Sequence, residues 1–503
     1  MGLTKASHAQ PFTGNLIDAV RITIVNEPTI AAGKQRVAAS VGAVTSAAAA
    51  FDTTLNAGLG RTLQNTPVLA AQQSSVGPGI STLSNNYVVG ATRKLRSGVS
   101  FNPTLSISRS IDNATNPTAP MRSDATLNVL FPLLRGSGTA ITTAPERSAQ
   151  LLLEAAQLSY RHDIAASVAR TVSSYWEYVS TQRSLAVQRE SLERSQQLLV
   201  NARRLARADE IPAADVLKYE ARVSRDRLGV INQEQALNQA STDLLQAMGL
   251  RRADAALAPP LDDFPDVPQA SVNQLLGLGA ADSALATASA RRADVLASQR
   301  RQLSAQTLLD AAESDHSAQL DLKLSLGYSG LGENRSAASP LSALRASPGP
   351  NASISLNYAF PVSGLVKQGE VAQRLAALEL ANVEYSALQS SMQRNVLLQL
   401  GRLGELVAQR NLALNQVDIQ QRVSENERRR YSAGLVTAFE LLAAEEQLTQ
   451  ERLAAVAASK RLAQAIVNFR LEAGLLLDAY ADEQILALGR LTTLPTAREL
   501  QAP

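Results

Sequence analysis

The sequence predicts an α+β chain made of two copies of one plan, each copy a β segment, a very long helix, a short break and a second long helix. Three observations carry this. First, a shift of 225 positions lays residues 431–475 on residues 206–250 without a gap, so that Glu440 falls on Asp215, Leu442 on Leu217, Glu445 on Glu220 and Gly474-Leu475 on Gly249-Leu250. Identity is low, roughly ten matched positions, and the absence of any gap is the stronger sign of one duplicated supersecondary unit. Second, apolar residues after Val371 recur at Leu375, Leu378, Tyr385, Leu388, Met392 and Val396 and onward to Val417. Their mean step near ~3.5 is that of a coiled coil. Third, the segments before each long helix switch to a period of two.

In chain order, residues 15–50 read as a helix broken at Asn26-Glu27-Pro28, because proline is tolerated only where a new helical segment begins. From Phe51 the pattern alternates, with Phe51, Thr53, Leu55, Ala57 and Leu59 on one face and Asp52, Thr54 and Asn56 on the other. A stretch rich in Gly, Ser, Asn and Pro follows, then the short strands NYVVGATRKL, GVSFNPTLSISRS and ATLNVLFPLL. The second half has a smaller counterpart, AQLDLKLSLGYSG and ASISLNYAFPV, separated by a Ser/Pro/Ala loop over about 333–350. Half-apolar strands of this kind fit a transmembrane β-barrel wall, and fit an ordinary antiparallel sheet almost as well.

The helices carry the sharper signal. Residues 146–207 and 366–430 each predict one helix, and the second would be ~100 Å long at ~1.5 Å per residue, longer than any compact domain. Gly249 and Gly474 stand where a glycine ends a return helix. The expected organisation is an N-terminal segment 1–14, then a first repeat 15–250 with strands at about 51–134 and a helical hairpin at about 145–250. A proline-rich connector 251–285 leads to a second repeat 286–475, with strands at about 318–362 and a hairpin at about 365–475, and a tail 476–503 closes the chain.

Composition narrows the function. The 48 basic residues are interleaved with 45 acidic ones, for a net charge of +3, which argues against a nucleic-acid surface. With no cysteine in the chain, disulfides, thiolate metal sites and cysteine nucleophiles are excluded. His8, His162 and His316 each stand alone, without a second ligand at metal spacing. There is no Walker loop, HExxH or nucleophile elbow, so neither an enzyme nor a cofactor is expected. No apolar run approaches the ~20 residues of a membrane-spanning helix, and MGLTKASHAQPFTG has no apolar leader.

LIDAVRITIVNEPTIAAGKQRV, FPLLRGSG ahead of the long helix, RRADVLASQRR at the head of the second half, and the hairpin tips ADEIPAADVL and YSAGLVTAFELL together resemble the TolC-like family of outer-membrane efflux proteins. The resemblance spans nearly the whole chain and rests on the order and spacing of these segments. It implies a homotrimer whose protomers share one transmembrane β-barrel, four strands each in the family, continued by a long α-helical coiled-coil periplasmic barrel. It also implies a passive exit duct in the outer-membrane lipid, with a long periplasmic extension, served by a periplasmic adaptor protein and an inner-membrane transporter. The rival reading is a soluble scaffold of helical hairpins, favoured by the missing leader.

The family's gate residues map onto the tips. Three copies of Glu440 would ring the narrowest point with its twin Asp215 on the equivalent turn of the alternate hairpin, Tyr431 would bond Asp215 to hold the tip closed, and Asp209, Ala213, Gly434 and Ala438 would lie where the adaptor docks. Two departures weaken that lock: Val436 stands where an arginine partner is expected, and Ala443 replaces a second acid. Each residue also has a plainer reading. An acid in a first helical turn complements the macrodipole, Tyr431 is a helix-end aromatic, and Trp176 packs between helices.

Overall fold

A computed structural model describes residues 12–70, 79–114, 120–251, 257–277, 279–316, 318–332, 349–477, 491–496 and 499–500. Most of the N-terminal segment with His8, and the loop 333–348, lie outside the described residues. The helices are α1 Leu16–Asn26, α2 Pro28–Ala48, α3 Thr139–Thr142, α4 Ala144–Arg207, α5 Ala213–Ala247, α6 Gln269–Leu275, α7 Ala280–Arg291, α8 Ala293–Ser314, α9 Leu365–Ser432 and α10 Ala438–Glu472. The strands are β1 Thr53–Pro67, β2 Gly79–Lys94, β3 Ser100–Asp112, β4 Met121–Pro132, β5 Gln319–Gly332 and β6 Gly349–Ala359. Contacts divide the chain into two units. One holds Met1–Ala38, Ala155–Gln299 and Glu384–Pro503, and the other Ala39–Glu154 and Arg300–Val383.

The second unit is built on one six-stranded antiparallel sheet in the order β1-β2-β3-β4-β5-β6. The halves of the chain join where β4 pairs β5, with Leu127 opposite Leu326 and Val129 opposite Leu324. The register keeps one face apolar across every strand: Leu55, Ala91, Pro103, Leu127, Leu326 and Ala352 form one such row. The adjacent row on the other face is Thr54, Thr92, Asn102, Asn128, Ser325 and Ser353. Exposure is inverted relative to a water-soluble sheet. Along β3, Asn102, Thr104 and Ser106 are half-buried while Pro103 and Leu105 stand exposed, and Leu59 on β1 is 84% exposed.

One feature differs from the sequence reading and one from the family resemblance. The stretch rich in Gly, Ser and Asn is partly strand, since β2 begins at Gly79. Serine and asparagine suit a strand whose polar face meets water, where turn propensity alone suggests a break. The first half also contributes four strands, so the sheet has six where the resemblance implied four. At Pro103, which has no N–H to donate, the β2–β3 ladder skips the positions between Gly90–Thr104 and Arg93–Phe101. The β2–β3 turn is anchored by Arg96, whose Nε and Nη2 donate to both oxygens of Glu146 at 2.9 and 2.7 Å while its guanidinium lies 4.9 Å from the Phe51 ring centre.

In the first unit the duplication appears as repeated contacts. The α1–α2 break falls at Glu27, and the α7–α8 break at Arg292. Against the first break packs Gly249, and against the second Gly474, with φ of +71° and +70°. A Cβ at Gly249 would lie 2.5 Å from the Asn26 carbonyl oxygen, and one at Gly474 would lie 2.9 Å from the Arg292 nitrogen. Only glycine combines that conformation with that approach. Two cores follow. Leu16, Val172, Tyr175, Trp176, Leu244 and Val467 pack in one, and Met392, Val396, Leu403, Leu462, Ile466 and Phe469 in the other. Trp176 is fully buried, its ring 5.3 Å from Tyr175 and 5.6 Å from Phe264, a packing role.

Candidate functional site: the hairpin tips

Both tips reverse the chain by the same C-cap. In the first, Asp209 N–H bonds Ala206 at 3.2 Å and Glu210 N–H bonds Leu205 at 3.0 Å. In the second, Gly434 N–H bonds Tyr431 and Leu435 N–H bonds Arg430, both at 2.9 Å. These paired bonds are the Schellman pattern, which needs one left-handed residue. Gly434 supplies it at φ +74°, and Asp209 at +60°, the one non-glycine residue with positive φ among those described. Aspartate tolerates this region better than most side chains.

The return helices start differently. Thr437 caps α10: its hydroxyl accepts from the Glu440 N–H at 3.4 Å, and Glu440 Oε2 accepts from the Thr437 N–H at 2.7 Å, a reciprocal capping box. The Thr437 backbone bond, then its hydroxyl, hold the exposed Glu440 carboxyl below the usual carboxylate range. At the first tip Pro212 precedes α5 with no side-chain cap, and Asp215 instead accepts from Lys218 at 2.8 Å. Ala213 and Ala438 open their helices at equivalent positions.

Tyr431 and Asp215 do not form the bond the resemblance implied. The Tyr431 hydroxyl instead pairs with the Tyr219 hydroxyl at 2.8 Å, one turn further along α5. Burial, then the bond to Tyr431, push the Tyr219 phenol well above its ordinary value, so its hydroxyl keeps the proton it donates to Tyr431. Nothing about Tyr219 in the repeat marks it, because its counterpart 225 positions on is Ala444.

Sequence reasoning also missed the charged cluster behind the tips. Glu445 is buried, with Oε2 accepting from Arg194 Nε of α4 at 3.0 Å and Oε1 accepting from Ser424 Oγ of α9 at 2.9 Å and from Arg428. Burial alone would raise its carboxyl; the bonds from Arg428 and Ser424 and the two guanidinium charges outweigh it and hold the group below its ordinary range. Beside it Arg222 of α5 bonds Asp226 at 3.0 Å and Glu446 at 2.9 Å, and Ser191 bonds Thr449 at 3.0 Å. The four long helices are therefore cross-tied within about five turns of the tips. The signal available was the alignment of Glu445 with Glu220, which marks a shared position without revealing which copy is buried.

Further along the rods, α10 lies against α4 through Lys460 to Glu177 at 2.9 Å and Arg452 to Glu190 at 2.7 Å. Among the described residues no group of three His, Asp or Glu side chains is placed to hold a metal ion. His162 Nδ1 lies 3.7 Å from Asp294.

No protein-family model matches the sequence, and no curated protein matches it. Solved structures match it in fold. The outer-membrane channel OprN aligns with a TM-score of 0.67 at 15% identity, over 93% of this chain and 94% of its own. A membrane protein from Pseudomonas aeruginosa gives 0.68 at 17% identity, over 91% and 93%. The Campylobacter jejuni CmeC outer membrane channel gives 0.65 at 13% identity, over 93% and 87%. Over nine-tenths of its length, this chain has the fold of the TolC-like outer-membrane channels that its hairpin tips and duplicated segments resemble.

Proposed function

We propose that three copies of this chain form a passive exit duct of the outer membrane, each giving its sheet to one shared barrel and its long helices to one shared coiled-coil tunnel. The observation that carries this reading is the inverted exposure of the sheet. On the inner strands Tyr87, Val89, Leu105, Leu127, Leu326 and Tyr328 stand outward while Thr104, Ser106, Asn128 and Ser325 are half-buried, which suits lipid outside and water within. A soluble scaffold would leave Leu59, Leu326 and Ile354 in water as one continuous patch.

The repeat supports the assembly. Within one chain α10 covers α4. Shifted by 225 positions, the same contact relates α5 of one copy to α9 of the next, and those faces are bare in a single chain. Val172 of α4 is fully buried, whereas its counterpart Leu397 of α9 is 45% exposed; Val456 of α10 is half-covered, whereas its counterpart Ile231 of α5 is 55% exposed. Residues 15–250 and 286–475 then act as quasi-equivalent repeats joined by 251–285. Three copies alternate them around six positions.

In that duct the tips at Asp209, Ala213, Gly434 and Ala438 dock a periplasmic adaptor, an inner-membrane transporter supplies the energy, and no nucleic acid takes part. Three Glu440 carboxylates around the axis favour cations at the narrowest ring, with Asp215 on the alternate hairpins and Tyr431 latching the two hairpin classes together through Tyr219. Extraction and bilayer recording test the reading. A detergent-requiring trimer that conducts ions is expected, and a monomer soluble without detergent would end it. Unchanged cation selectivity in Glu440→Ala would reduce Glu440 to a capping residue.

A further inference from the structure

We propose that all six strands of each copy belong to the barrel wall, so that β6 of one copy pairs with β1 of the next and three copies close a barrel of eighteen strands. This rests on the trimeric duct proposed above and deepens it. The sheet has two open edges among the described residues, β1 and β6, and side chains on both edge strands are exposed along almost their whole length. In lipid an unpaired edge is intolerable, because its N–H and C=O groups have no other partner. A second copy of the chain supplies that partner with the correct chemistry. Strand direction alternates through an even number of strands, so β6 of one copy runs antiparallel to β1 of its neighbour.

The faces also match across the join. Leu55 and Leu59 on β1, and Ile354, Leu356 and Tyr358 on β6, lie on the same apolar surface of the sheet. A smaller wall fits the exposed faces of β1 less well. If the β1–β2 hairpin folded away from a wall of β3 to β6, the exposed leucines of β1 would leave the lipid. The β1–β2 ladder, continuous from Thr53–Arg93 to Pro67–Gly79, would then enclose nothing.

Barrel diameter grows roughly linearly with strand number. At a strand spacing of ~4.8 Å and a tilt of ~40°, eighteen strands give a backbone diameter of about 36 Å, against about 24 Å for twelve. The lumen-facing row is uncharged over most of its area, with Asn102, Thr104, Ser106, Asn128, Ser325 and Ser353 among its members. Such a wall passes bulky hydrated cargo without selecting it, which leaves selection to the helical tips.

The chain has no cysteine, so introduced thiols report without background. Gly58→Cys on β1, where an added side chain meets nothing within 4 Å, is combined in turn with Asn351→Cys, Ser353→Cys and Ser355→Cys on β6. All lie on the lumen face. The expected result is a disulfide-linked trimer ladder from at least one pair. A conducting trimer that links instead through Ser106→Cys of β3, or that links through neither set, overturns the strand count while leaving the duct intact. Failure to form a trimer at all overturns the duct and this inference together. Electron microscopy of the unsubstituted trimer gives an independent reading, with eighteen strands in cross-section expected and twelve contradicting.

Discussion

Arg428 donates to Glu445 across the second hairpin, and Arg203 makes the same bond to Glu220 across the first at 2.7 Å, each residue 225 positions earlier. The two copies have diverged in surroundings. Glu445 is buried and also held by Arg194, whereas Arg203 and Glu220 are both largely exposed. Removing one partner of a fully buried pair costs about 3–5 kcal/mol; Glu445→Ala leaves Arg194 mostly covered and Arg428 half-exposed, so its cost lies below that range but above the about 0–1 kcal/mol of an exposed pair. Glu445→Ala should therefore unfold the helical hairpins at lower denaturant than Glu220→Ala. Equal losses, followed by circular dichroism of the purified protein, would remove Arg194 as a second partner.

The same carboxylate sets a pH dependence. Its value in the folded protein lies below the ordinary one near 4.5, so its contribution is fully present above that value and is lost as pH falls through the folded one. Melting temperature should drop more steeply below pH 4.5 in the parent than in Glu445→Gln, which is weaker at neutrality and has no such proton to take up. Parallel curves for the two proteins would assign the acid sensitivity elsewhere.

Gly249 and Gly474 should resist substitution. Both have positive φ and a backbone atom inside the space a Cβ would take, at 2.5 and 2.9 Å. Alanine at either position should destabilise by more than about 1 kcal/mol, with Gly249 the worse. Gly369, inside α9 with nothing within 4 Å, is the control: Gly369→Ala should be neutral or stabilising by about 0.5–1 kcal/mol.

Tyr219 and Tyr431 share one hydrogen bond, so Tyr219→Phe and Tyr431→Phe should each cost about 0.5–1.5 kcal/mol and the double variant little more than either. Bilayer recordings should show a larger open fraction in both single variants. Additive losses would mean that each hydroxyl has a different partner.

The sequence by itself determined the elements and their duplication. Apolar period marked the rods and the strands, glycine marked the ends of the return helices, and proline marked the α1–α2 break, because each of these acts over a few residues of local chain. The acids at the tips were equally legible as first-turn residues, and Glu440 does cap its helix. What only tertiary structure decided was partnership. Tyr431 meets Tyr219 and not Asp215, and Glu445 is buried while Glu220 is not, since each outcome depends on which helix faces which across more than two hundred residues of chain. The extent of β2 was decided there too. Its Ser- and Asn-rich start, residues 79–85, carries turn-like composition, and only its pairing with β1 and β3 makes it strand.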